Sequence, residues 1–134
     1  MATAKRMTYF KAKVEDKPGA LLALAMDLKE KNIDLLGLKG VSHAGHGDVL
    51  VIPKNPDKVR IAWNATGTLL EEGTLFFLSG VDKTGALTGG LDALAKSDVN
   101  IVAIEAGAVG GRFGAFLWVG PDDVDKTAQA LGAS

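Results

Sequence analysis

Asp16-Lys17-Pro18-Gly19-Ala20-Leu21 returns 66 positions later as Asp82-Lys83-Thr84-Gly85-Ala86-Leu87. Each copy joins an alternating apolar segment to an amphipathic one, which places it at a turn that opens a helix. The first backbone N–H groups of a helix have no partner inside it. With the helix dipole behind them, they favour a negatively charged group. Glycine at position 19 or 85 lets a ligand come close to the backbone. Asp16 or Asp82 can answer a cationic group on that ligand, and Asn100 can both donate and accept. The same run is also good turn and helix-start chemistry in its own right.

Other constellations carry less. His43, His46 and Asp48 have a metal-ligand flavour, but they fall in a hairpin with glycines nearby, and zinc needs three or four fixed ligands. No metal site is expected. Gly107 to Gly114 is glycine-rich but lacks the Gly-Lys-Ser/Thr ending of a phosphate cradle and joins two strands, so it reads as a hairpin. Arg112 within it can still reach an anion. With no cysteine and both histidines in one loop, no nucleophile–base–orienter set emerges. No catalytic residue and no cofactor are therefore expected.

The elements that must position the turns also occur twice. At the offset of 66, Phe10 falls on Phe76, Leu28 on Leu94, Ile33 on Val99 and Leu35 on Ile101. After a one-residue deletion the offset is 65, and Pro56-Asp57-Lys58-Val59 meets Pro121-Asp122-Asp123-Val124. Internal repetition of this kind sets the architecture. Thr8 to Val14 alternates as a half-buried strand with Phe10, Ala12 and Val14 on one face. Pro18 suits the first position of a helix, and Leu21, Leu24, Ala25 and Leu28 form its apolar stripe. Asn32 ends it. Strands follow at Ile33–Lys39 and Asp48–Ile52 around the turn Ser42–Gly47. A second helix opens at Pro56 with Val59, Ala62, Trp63 and Thr66 on one face.

Strand, helix, strand, strand, helix is the ferredoxin-like order, and Thr68–Leu70 can supply its last strand. The second copy reads Thr74–Val81, Gly85–Lys96, Val99–Ala106, Gly114–Val119 and Pro121–Leu131, with nothing left for a last strand. The expected fold is α+β, with two βαββαβ units at residues 1–72 and 73–134. Their sheets are antiparallel with helices on one face, and the second unit lacks its last strand. Its first strand should then lie at an open edge unless something pairs with it. Phe116 to Val119 is apolar on both faces, and helices cover only one, so a homodimer or larger assembly is expected. Gly89 and Gly90 fall inside the third helix, where each costs about 1 kcal/mol relative to alanine.

Composition bounds the partners. The chain has 134 residues, 47% apolar and 23% charged, and a formal net charge of −1. That suits a packed core and gives no electrostatic case for nucleic acid or an anionic membrane. Residues 1–72 carry 11 cationic and 9 anionic side chains and the remainder 4 and 7, too small a contrast to name a partner. No signal peptide and no membrane-length apolar run are read, so a soluble, cytoplasmic protein is expected.

The Asp-Lys-Pro-Gly-x-Leu turn between a first strand and a first helix, followed by a strand opening near Asn-Ile, resembles the ACT domain. Over about residues 7 to 132 the chain resembles the small tandem-ACT proteins. The resemblance implies regulatory binding of small molecules, most often amino acids, at interfaces between paired units. It implies ligand contacts from Asp16, Gly19, Ala20 and Leu21 in the first copy and from Asp82, Gly85, Ala86, Leu87 and Asn100 in the second. The regulated target would be a separate metabolic enzyme or transcription regulator. Thr84 replaces the turn proline, and Asp34 stands where the second copy has Asn100 and would repel a carboxylate. If one copy binds, the second is favoured on this ground. Three readings stay open: an amino-acid sensor, a ligand-free module that pairs with other ACT units, and a small enzyme using His43 or His46 as a base.

Overall fold

The computed structural model describes residues 3–81 and 83–133, apart from the side chains of Lys83, Thr84 and Ala86. Strands β1 (Thr3–Glu15), β2 (Leu35–His43), β3 (His46–Pro53), β4 (Glu71–Val81), β5 (Ile101–Val109) and β6 (Arg112–Val119) alternate with helices α1 (Ala20–Glu30), α2 (Pro56–Thr66), α3 (Lys83–Lys96) and α4 (Val124–Leu131). A short 3₁₀ turn, Pro121–Asp123, leads into α4. The chain forms two compact units, Thr8–Gly73 and Met1–Met7 with Thr74–Ser134. The division therefore differs from the expected 1–72 and 73–134 at the chain's start.

In the Thr8–Gly73 unit the strand order is β2-β3-β1-β4. The α1–β1–β3–α2 side holds its core: Phe10, Ala12, Val49, Val51, Leu28, Val59 and Trp63 are buried together. Phe10 and Trp63 meet edge to face at 6.5 Å. The unit closes with the first residues of β4, slightly later than the Thr68–Leu70 strand expected. The Leu70 N–H donates to the Lys11 carbonyl at 2.9 Å, and Tyr9 Oη donates to Glu71 at 2.7 Å. Asn55 caps α2 by accepting from the Asp57 N–H, with proline at the helix start as expected.

The other unit has the order β1-β4-β6-β5, with Phe76, Leu94, Val99, Leu117, Val119 and Ala128 at its centre. Among the described residues no strand follows α4. Its place beside β4 is filled by the start of the chain: Ala4 packs on the buried Leu78, Phe113 and Ala115, and the Thr3 and Ser79 hydroxyls lie 3.2 Å apart. The open edge expected for β4 is thus paired. On β6 the second apolar face is a ring cluster, with Phe116 4.8 Å from Phe77 and 6.4 Å from Trp118.

The repeat reaches down to single dihedral angles. Asn32 and Asp98, 66 apart, both end a helix with positive φ, 56° and 58°. Such backbone tolerates Asn and Asp better than most side chains. Each is followed by the same bond, Ile33 N–H to Leu28 O and Val99 N–H to Leu94 O. Gly67 and Gly132, 65 apart, cap α2 and α4 in the left-handed conformation. One ion pair is repeated with its charges exchanged. Arg60 on α2 grips Glu72 at 2.9 and 2.7 Å, whereas Asp125, 65 positions later on α4, accepts from Arg6 at 3.3 Å.

Tyr9 supplies a direct test of the closing strand. Partial burial, then the hydrogen bond to Glu71 and its negative charge, raise its pKa from the ordinary value near 10 to about 12. The folded chain keeps its phenol proton where the unfolded chain has lost it. The contribution to stability is therefore intact below pH 10 and is lost as the pH rises towards 12. Tyr9 is the sole tyrosine, so absorbance at 295 nm should give one titration with a midpoint near 12. Glu71→Gln should lower that midpoint only in part, because burial is the larger cause.

Candidate binding site at the strand-to-helix turns

The first turn is built by Pro18 and Gly19. Gly19 has φ +88°, a left-handed conformation that side-chain-bearing residues rarely adopt, and a Cβ there would meet nothing within 4 Å. The helix therefore opens at Ala20, two residues after the position expected for it at Pro18. The Ala20 N–H folds back to the Lys17 carbonyl at 3.3 Å. No side chain caps α1, so its first-turn N–H groups, beginning at Leu21, are open to an anion. Asp16 is fixed: Ser42 Oγ donates to its Oδ2 at 2.6 Å. Beside it Lys17 pairs with Glu15 at 2.9 Å.

Ser42 belongs to β2, and the tight turn Ala44–Gly45, both with positive φ, returns the chain into β3. The turn is shorter than the Ser42–Gly47 loop expected, because Ser42, His43, His46 and Gly47 pair across it. His46 Nε2 lies 3.2 Å from Asp48 Oδ1, and the two histidine rings stand edge to face at 5.8 Å. Among the described residues no group of three or more histidine or carboxylate side chains is arranged to hold a metal.

The second turn is built differently. Asp82 lies outside the described residues. With threonine in place of proline, α3 begins at Lys83, and Gly85 sits in its first turn without positive φ. Leu87 packs beneath it on Leu78, Phe113 and Ala115. Sequence identity at the motif thus conceals two backbone conformations.

Asn100 is exposed and immediately precedes β5. The turn before α3 follows Val81, which pairs with Arg112 and through it with Val109, at the far end of β5. Nine strand residues separate them, roughly 30 Å at 3.3 Å per residue. Within one unit the fold therefore does not bring Asn100 to the start of α3 at Lys83. The equivalent Asp34 is likewise distant from Asp16, beside a shallow depression of about 400 Å³ with Asn32, Lys54, Asn55 and Lys58. A wider, open depression of about 700 Å³ borders Arg6, Asp125 and Gln129. Neither depression was visible in local sequence patterns, because each joins segments far apart in the chain.

No family model matches the sequence, and no curated protein matches it. Solved structures do. Protein BT0572 from Bacteroides thetaiotaomicron superposes with a TM-score of 0.81 at 22% identity, covering 96% of this chain and 88% of that one. The regulatory subunit of aspartate kinase from Thermus thermophilus, in ligand-free form, superposes at 0.64 and 12% identity, covering 98% and 95%. This chain has the ACT-type fold. Aspartokinase III of E. coli, in complex with lysine and aspartate, contains a similar ACT-type region: TM-score 0.54, 14% identity, 97% of this chain and 31% of that one. At these identities the likeness concerns the fold alone. No described helix of the ACT-type chain is long and apolar enough to cross a membrane.

Proposed function

We propose that this ACT-type chain is a non-catalytic regulatory module that binds a free amino acid at its strand-to-helix turns and acts on a metabolic enzyme or transcription regulator. The observation that carries the reading is the first turn. An aspartate held by Ser42 stands beside an uncapped helix N-terminus, with a glycine whose Cβ position is empty. A carboxylate can accept from the open N–H groups while its ammonium partner meets Asp16. This favours the first copy, with Asp16, Gly19, Ala20 and Leu21 as contacts. The second copy's Gly85, Ala86 and Leu87 lie in a helical turn and form the weaker site. Asp34 and Asn100 stand at the opposite end of each unit, so they reach a turn only if a second copy lies antiparallel to the first. The regulatory subunit of aspartate kinase and the lysine- and aspartate-bound aspartokinase support the same class of role.

The test is a thermal-unfolding screen against the twenty amino acids at millimolar concentration, with nucleotides as controls. A ligand at a hundredfold excess over its Kd should stabilise the protein by about 2.7 kcal/mol. One amino acid, or a close pair, should raise Tm. No shift with any of them would overturn the ligand reading in favour of a ligand-free pairing module.

A further inference from the structure

The two copies differ sharply at one position of their second helices. Trp63 on α2 is 1% exposed and packs with Phe10 in the first core. At the offset of 65 its counterpart on α4 is Ala128, in a core that keeps Phe76 as the counterpart of Phe10. An indole is thus missing from the second copy, and the open depression of about 700 Å³ lies against Ala128. Buried Ala128 and half-buried Ala133 make its floor, whereas Arg6, Lys126 and Gln129 are exposed around it. The rim has also gained a cation, because Lys126 stands where the first copy has Ile61. Its ammonium lies 3.5 Å from the Asp98 carbonyl and 3.7 Å from an Asp123 carboxylate oxygen.

We infer that this depression binds a small aromatic carboxylate, with the ring against Ala128 and the carboxylate on Arg6. The repeat itself supplies the shape of the occupant: at this helix position the first copy holds an indole edge to face on a phenyl ring. The rim sets the charge. Arg6 donates to Asp125 at 3.3 Å, but that carboxylate is 99% exposed, and an exposed pair of this kind contributes little. A ligand carboxylate offers the guanidinium the same planar, bidentate partner, while its ring leaves water for the alanine floor. Lys126 adds a second positive charge to the same rim. The volume falls in the range of small-molecule sites, about 300–1,000 Å³. The depression shares no residue with the strand-to-helix turns, and its ligand needs no ammonium group, so this site stands apart from the amino-acid reading above.

Titration calorimetry of the full chain with indole-3-acetate tests this, with indole and acetate as the two halves of the probe. Wild type should bind indole-3-acetate saturably at millimolar concentration, at least tenfold more tightly than either half. Arg6→Gln should weaken binding at least tenfold. Ala128→Trp, which restores the indole of the first copy, should abolish it. Asp125→Asn releases Arg6 and should leave binding equal or tighter, and Asp16→Ala should leave it unchanged. Circular dichroism is recorded for each variant; should Ala128→Trp unfold through overpacking, the exposed Arg6 change decides. Absence of saturable heat in wild type, indole bound as tightly as indole-3-acetate, or binding indifferent to Arg6→Gln would overturn the assignment. Loss of binding in Asp16→Ala would also overturn it, by moving the probe to the first turn. Amino-acid binding is scored separately in the Tm screen, so either reading can fail alone.

Discussion

Trp63→Ala should destabilise the Thr8–Gly73 unit by about 3–5 kcal/mol, the range for deleting a large buried aromatic. Trp63 is among the largest fully buried side chains, and it stands edge to face on Phe10 in the middle of the α2–sheet contact. Trp63 packs with Phe10, Val51 and Val59 in the core cluster, so its deletion opens a void between α2 and the sheet. Among the described residues the indole nitrogen makes no hydrogen bond. Trp63→Phe therefore leaves no polar group unpaired and should cost distinctly less, because it removes volume alone. Urea unfolding followed by circular dichroism measures both. Trp118, on β6 in the other unit, remains as a fluorescent reporter there. Against a total stability of about 5–15 kcal/mol for a domain, that loss removes a large share of the folding free energy and should lower the urea midpoint accordingly. A loss below about 1 kcal/mol would contradict the core assigned to this unit.

The second large effect concerns the two motif glycines, which should respond with opposite sign. Gly19→Val should weaken amino-acid binding at least tenfold. No atom obstructs the new side chain, so the effect comes from the backbone: a β-branched residue at φ +88° is strained by about 1–3 kcal/mol and relaxes by reshaping the turn that presents Asp16 and the helix N-terminus. Gly85→Ala places a better helix former in the first turn of α3, with nothing within 4 Å of the new Cβ. It should leave binding within twofold of wild type and raise stability by up to about 0.5 kcal/mol. Titration calorimetry with the amino acid found in the Tm screen, beside unfolding curves of both variants, gives the comparison. Equal losses of binding in the two would mean that the turns are equivalent.

Local pattern carried the element order because each element announces itself within a dozen residues. The alternation of Phe10, Ala12 and Val14 marked the buried face of β1, and Pro56 marked the start of α2, where the structure adds the Asn55 cap. The turn motif was legible as a turn, but its conformation was not. Lys83–Leu87 and Lys17–Leu21 differ in backbone, and threonine and proline at one position set different limits on φ and on hydrogen bonding. Two features depended on contacts between distant segments. The first strand was read from Thr8, and only the structure shows that Thr3–Met7 extends β1 and lies beside β4 to complete the second unit. Asn100 matched a motif in sequence, yet nine residues of extended chain put it at the far end of its unit. The surplus of leucine on α1 looked like one stripe, because a helix that is apolar on several sides has no unique face in periodicity. The exposure of Leu22 and Met26 decides which residues belong to the core.

Equilibrium dialysis of the purified chain against an equimolar mixture of the twenty amino acids, followed by amino-acid analysis of both compartments, tests the central claim most directly. Enrichment of one amino acid, or a chemically related pair, on the protein side is predicted, with that enrichment lost in Asp16→Ala. Equal concentrations of all twenty across the membrane would contradict it.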